Sequence, residues 1–205
     1  DSTYEGNETA IISIDSISGA SATESGVQSV TITIVDDDIP SITLSSSTAS
    51  VIENSGTTVT LTATSSQAAY EDIVITLVTS GTATNGTDYS SLGGETITIS
   101  AGATTGTITG TPTDDSTYEG NETATVDIST VSGGSAIESG TQSVSITIVE
   151  NESAPVITLS TSNSTTVAEN ASSSDDIYLT ATSSVKAYED IIVTLSTSGT
   201  ATDQT

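Results

Sequence analysis

The sequence predicts an all-β protein built from tandem sandwich repeats. Asp1–Thr9 (DSTYEGNET) recurs letter for letter at Asp115–Thr123, so the period is about 114 residues, the length of one small domain. Apolar residues alternate with Ser and Thr through most of the chain, the period-two pattern of half-buried antiparallel strands. No segment carries a helical period.

Residues 1–38 match residues 115–152, and residues 41–87 match residues 156–205 with small insertions. Insertions of one or two residues mark loops, because a strand that absorbed one would reverse its faces. The chain thus divides into residues 1–39, the C-terminal part of one repeat, residues 40–153, a whole repeat, and residues 154–205, the N-terminal part of a third. Pro40 and Pro155 stand at the boundaries and favour an extended path into the following repeat.

The whole repeat reads as seven strands in order. The first, 42–52, is broken by a Ser-rich turn, and 57–64 follows, with Val59, Leu61 and Ala63 inward and Thr58, Thr60 and Thr62 outward. The third, 72–79, is almost continuously apolar from Ile73 to Val78, which predicts a central strand. Then come 95–100, 104–111, 122–130 with Ala124, Val126 and Ile128 inward, and 142–149 with Val144, Ile146 and Ile148 inward. Seven short strands in about 114 residues fit an immunoglobulin-like, seven-stranded antiparallel β-sandwich.

Composition narrows the function. The 205 residues carry 27 acids and one base, Lys186, with no His and no Cys, for a net charge of −26. Internal salt bridges cannot neutralise this charge, so cations from solution or bound metal must. Nucleic acid is excluded as a partner, since nothing neutralises phosphates, and direct contact with an anionic membrane is disfavoured. Ser and Thr make up nearly two residues in five, and Trp, Phe and Met are absent. That bias, with no Cys, suits a bacterial or archaeal extracellular or cell-surface protein. Without His or Cys, and with Lys186 as the only base, material for catalysis is scant, so the chain is not expected to be an enzyme.

The acids collect at predicted strand ends. Glu53 closes the first strand, and Asp88 lies after the third. Asp114, Asp115, Glu119 and Glu122 lie between the fifth and sixth, and Glu150 and Glu152 follow the seventh. In an antiparallel sandwich several of these loops share one end, so their carboxylates converge. Like charges held together without a base call for a cation. Calcium accepts six to eight oxygens in irregular geometry, whereas zinc and copper want His or Cys.

Three stretches carry a resemblance to a known family. Gly81–Tyr89 (GTATNGTDY), Asp114–Glu122 (DDSTYEGNE) and the triplet Asp36-Asp37-Asp38 resemble, in order and spacing, motifs of the Calx-β domain. That family occurs in tandem in bacterial surface proteins and in sodium–calcium exchangers. The resemblance implies a Calx-β-like sandwich and Ca²⁺ ligands at Glu53, Asp88, Asp114, Asp115, Glu119, Glu122, Glu150 and Glu152 of the whole repeat. For the first repeat it implies Asp1, Glu5, Glu8, Asp36, Asp37 and Asp38. Glu150-Asn151-Glu152 departs from the aspartate triplet, which predicts fewer or more weakly held ions. Asp203-Gln204-Thr205 replaces Asn85-Gly86-Thr87 in the third repeat.

Six of the seven Asn lie in N-x-Ser/Thr, at Asn7, Asn85, Asn121, Asn151, Asn163 and Asn170, and are candidate glycosylation sites. Thr-rich strands such as Thr105–Thr111 read as solvent faces of strands. Tyr118 is expected to anchor its acidic loop in the core, and Gly120 to permit the turn.

The expected function is structural or adhesive: a repeat segment of a long extracellular filament or surface protein, rigidified by calcium at the domain ends. Its partners are its own repeats, possible laterally assembled copies and an unidentified surface ligand. A calcium-sensing module of the exchanger type, or a filament subunit polymerising by strand complementation, are the alternatives.

Overall fold

The structure is a computed structural model and describes residues 2–90, 95–161, 165–167 and 177–200. In chain order the strands are β1 (Thr3–Tyr4), β2 (Glu8–Ser13), β3 (Ser29–Ile34), β4 (Ser41–Ser46), β5 (Ser50–Ile52), β6 (Val59–Ser65), β7 (Ala68–Ala69), β8 (Ile73–Gly81) and β9 (Thr96–Ile99). They continue as β10 (Thr105–Gly110), β11 (Thr117–Tyr118), β12 (Glu122–Ser132), β13 (Ile137–Glu138), β14 (Ser143–Val149), β15 (Ile157–Thr161), β16 (Leu179–Ser183) and β17 (Lys186–Ala187). The described residues are nearly all strand or loop, with one 3₁₀ turn at Glu53–Ser55.

Two sheets form the sandwich. One has the order β10-β6-β4-β13, the other β5-β14-β12-β8-β9. The predicted alternation sets their inner faces. Leu61, Ala63, Ile75, Leu77, Val126, Ile146 and Ile148 are buried, while the Ser and Thr between them face outward or lie half-covered. The apolar run at Ile73–Val78 lies in β8, an interior strand between β12 and β9. Gly81 ends β8 where its backbone crosses Thr123. A Cβ there would lie 2.1 Å from the Thr123 carbonyl oxygen, at a φ of +116°, so only glycine fits.

The predicted first strand divides between the sheets. The Ser-rich turn at 47–49 lets β4 pair antiparallel with β6, while β5 pairs in parallel with β14. Its register, Val149 against Ile52, places Glu53 beside Glu150 one step further on. This parallel switch has no signature in the alternation pattern.

Residues 1–39 contribute the hairpin of β2 and β3. Ile12, Ile14, Ile32 and Ile34 are well exposed there, although their repeat counterparts Val126, Ile128, Ile146 and Ile148 are buried. β15 and β16, the counterparts of β4 and β6, pair antiparallel in residues 154–205.

β1 pairs with β7 and β11 pairs with β17, so each acidic loop reaches beyond its own repeat. Tyr4 is half-buried against the core of the whole repeat.

Candidate metal centre

The acidic loop has the same construction in both copies. Gly120, at a φ of +79°, turns the chain after Tyr118 and Glu119. The Glu119 and Gly120 N–H groups donate to Oε2 of Glu150 at 2.6 and 2.9 Å. Oε1 of Glu150 accepts from the Asn151 and Glu152 N–H groups at 2.9 and 2.8 Å. The Asn121 Oδ1 accepts from the Glu150 N–H at 3.1 Å. In the first copy, Asp36 Oδ2 accepts from Glu5 and Gly6 at 2.6 and 2.7 Å, its Oδ1 accepts from Asp38, and Asn7 Oδ1 accepts from the Asp36 N–H.

Burial opposes ionisation of Glu150, but the amides of Glu119, Glu152 and Gly120 overcome it and hold the carboxyl well below the usual range. Asp36 is likewise held low, by the amides of Asp38 and Glu5. Amides fill the lone-pair directions of Glu150, so this residue fixes the loop and supplies charge more than open oxygens.

Two triads of carboxylates assemble at this end of the sandwich. Glu53, Glu150 and Glu152 each place one oxygen within 4.8 Å of the others, and so do Asp88, Glu119 and Glu122. The first forms because the parallel β5–β14 register brings Glu53 to Glu150. The second forms because Glu122 opens β12, paired with β8, and the loop after β8 returns through Asp88. That return is fixed by the Asp88 N–H on the Thr84 carbonyl, by the Thr113 N–H on the Asp88 carbonyl, and by Tyr89, buried in the core.

The triads repel themselves when charged. Burial, then the nearby Glu150, pushes the Glu53 carboxyl up to about 7. Burial, then Asp88, pushes Glu122 up to about 7, and the same two causes raise Glu119. Glu152 is raised first by the adjoining Glu150 carboxylate. Asp115 acts on both Glu53 and Glu119, and Asp114 acts on Glu152. The two triads and the two aspartates are one electrostatic unit.

The donor set fits a hard cation on an independent observation. Glu152 Oε2 and Asn151 Oδ1 are shielded from solvent and make no hydrogen bond. A buried oxygen without a donor costs about 1–3 kcal/mol, and a cation between Glu53 and Glu152 would supply what is missing. All the donors are oxygens, the choice of calcium or magnesium and not of zinc.

Of the sequence-predicted ligands in the whole repeat, six form the triads and Asp114 and Asp115 stand beside them. Asn151 lies outside the sequence-predicted ligand set. Its place inside an acidic triplet was the available signal. Its Nδ2 donates to Glu152 Oε1 at 2.9 Å, so this sequon's side chain points at the cluster. In the first repeat, Glu5, Glu8, Asp36, Asp37 and Asp38 line an open cleft, but no triad closes among the described residues. Asp1 lies outside the described residues, as do Asn163 and Asn170. Asn7 and Asn121 are exposed, and Asn85 sits in a bridge with Tyr89.

With this geometry in hand, the comparisons with known proteins identify the family. Residues 35–152 match the Calx-beta domain. The chain belongs to the Calx-beta domain family. Calx-beta domains thus account for the sandwich, and the match ends at Glu152, the last residue of the first triad. Similar solved structures include the apo form of the Calx CBD1 domain, 18% identical with a TM-score of 0.44, covering 54% of this chain and 97% of that one. CBD12 from CALX1.2 is 18% identical with a TM-score of 0.46, and the match covers 54% of this chain and 44% of that one. A two-domain protein of unknown function from Bacteroides fragilis is 9% identical with a TM-score of 0.39, covering 60% and 55%. No curated protein matches the chain.

Proposed function

We propose that this Calx-beta chain is a structural segment of a long bacterial or archaeal extracellular surface protein or filament, stiffened by calcium at the end of each repeat. The observation that carries the reading is the pair of shielded, partnerless oxygens on Asn151 and Glu152 beside the buried Glu53. Calcium joins Glu53 in the turn after β5 to Glu152 in the loop after β14, and Asp88 and Glu119 from two loops to Glu122 at the start of β12. The apo state keeps repelling carboxylates close together, so the ion converts a repulsive sandwich end into a bonded one. Extracellular modules bind calcium at about 10⁻⁴–10⁻³ M, which suits a permanent ion outside the cell. The net charge of −26 keeps such chains apart without divalent cations. Partners under this reading are neighbouring repeats and a surface ligand, without nucleic acid, membrane contact or catalysis, and the exposed sequons Asn7 and Asn121 carry glycans.

The test is a thermal melt in calcium and in chelator. At a hundredfold excess over Kd, one site adds about 2.7 kcal/mol, which raises Tm by roughly 10 °C or more for a domain of about 100 residues. Equal midpoints in the two conditions sink the reading.

A second reading, filament growth by strand complementation between copies, is favoured by one observation. The apolar residues exposed on β2 and β3 are counterparts of core residues in the whole repeat, and so call for cover from complementary strands. Sedimentation at rising concentration tests it, and a concentration-independent monomer rejects it.

A further inference from the structure

The tyrosine of the acidic loop has no part in the carboxylate triads, and its environment is peculiar. Thr3 and Tyr4 pair in parallel with Ala68 and Ala69 of the following repeat. The Tyr70 N–H donates to the Tyr4 carbonyl at 2.8 Å. The Tyr4 hydroxyl meets Ser135 Oγ, and the ring packs on the core of that repeat. Two segments distant in sequence, Ala68–Tyr70 and the turn at Ser135, therefore receive one tyrosine.

The arrangement recurs. Thr117 and Tyr118 pair in parallel with Lys186 and Ala187, and the Tyr188 N–H donates to the Tyr118 carbonyl at 3.1 Å. The donors, Tyr70 and Tyr188, occupy equivalent positions, each directly before Glu-Asp. The register holds although small insertions separate the two junctions in sequence. Two junctions with the same pairing make a built contact, not a chance touch of neighbours.

We propose that the Thr–Tyr pair of each acidic loop is the joint between repeats: it adds a two-residue strand to the Ala–Tyr turn of the next repeat and seats its ring there, fixing the angle between them. The partner is the succeeding copy of the same module. Strand addition supplies direction, since backbone hydrogen bonds are made in one register only, and the aromatic ring supplies buried area. The same loop grips the exit carboxylate of its own repeat through the next two amides, Glu5 and Gly6 on Asp36, and Glu119 and Gly120 on Glu150. Load applied along the chain therefore passes from exit strand to loop to the next repeat within a few residues. The Thr–Tyr pairing itself uses no metal-ligand atom, so it is tested apart from the calcium reading.

The chain has no Cys, so Thr31→Cys with Thr107→Cys places spin labels on two exposed strand positions on either side of the first joint. The inter-label distance distribution is expected to be narrow in the parent and at least twofold broader with Tyr4→Ala. Tyr4→Phe, which keeps the ring and loses the hydroxyl, is expected to stay close to the parent. In parallel, amide exchange at Tyr70 is expected to accelerate at least tenfold in Tyr4→Ala, while Ile75 and Val126 keep their rates and report an intact sandwich. Unchanged width and unchanged Tyr70 exchange in Tyr4→Ala overturn the proposal. Both measurements are made in calcium and in chelator. A Tyr4→Ala effect present in both supports the joint whatever the ion does, whereas an absent melting shift refutes only the calcium reading.

Discussion

The loops Asp1–Thr9 and Asp115–Thr123 share nine residues and the same backbone bonds, yet they end on different chemistry. In the first, the amides of residues 5 and 6 close on Asp36, and the surrounding acids line an open cleft. In the second, the amides of residues 119 and 120 close on Glu150, and Glu53, Asp88 and Glu152 arrive from elsewhere to form triads. The amide clasp is thus a local property, indifferent to one methylene in the carboxylate. The metal centre is a property of the whole sandwich. It needs β5 beside β14 and the loop after β8 beside the start of β12.

Glu53→Gln breaks the comparison most strongly. With chelator at neutral pH it is expected to stabilise the chain, because burial and the neighbouring Glu150 disfavour the ionised Glu53 carboxyl. With calcium it is expected to lose more than half of the calcium-dependent rise in Tm. Calorimetry in the two buffers reads both signs, and a variant less stable than the parent in chelator contradicts the assignment.

The next effect is on pH. Glu53 and Glu122 have folded values near 7, above the ordinary carboxylate value. A raised carboxyl stabilises the fold below its unfolded value, and that contribution is lost as pH rises through the folded value. In chelator, stability is therefore expected to fall between about pH 4.5 and 7 and then level off. Calcium needs the ionised form, so its affinity and its melting shift are expected to grow over the same window. A chelator melting curve that rises with pH through this window refutes the cause assigned here.

A smaller effect separates the two clasps. Glu150→Ala strips acceptors from the Glu119 and Gly120 amides and is expected to cost the sandwich about 2–3 kcal/mol. Asp36→Ala makes the same change at the first loop and is expected to leave the sandwich transition within about 0.5 kcal/mol. Chemical denaturation of both variants in chelator checks the pair. The smallest effect is at Asn121→Ala, which removes one acceptor from the Glu150 N–H and is expected to cost about 1 kcal/mol. Near-parent stability there would show that the clasp stands on the carboxylate alone.

Much of the fold was legible because strand alternation is a local code. Val59, Leu61 and Ala63, or Ala124, Val126 and Ile128, declare their inner face without reference to any other residue. The two-residue strands at Thr3–Tyr4 and Thr117–Tyr118 were not legible, since two residues carry no period. Tyr118 reads as the anchor of its loop in the core, and a lone aromatic on an acidic loop gives no hint that its backbone pairs with Lys186–Ala187. Asn151 was read as a sequon, and only the shielding of its oxygen gives it a second role.

The sequence by itself determined that this chain is repetitive, all-β, strongly acidic and unable to neutralise itself, since those are properties of counting and of period. The tertiary structure decided which of the acids meet. A carboxylate's partners are chosen by register between strands far apart in the chain, and the parallel pairing of β5 with β14 set Glu53 against Glu150. It also decided where the tyrosine goes, because a short strand takes its place from the edge that accepts it.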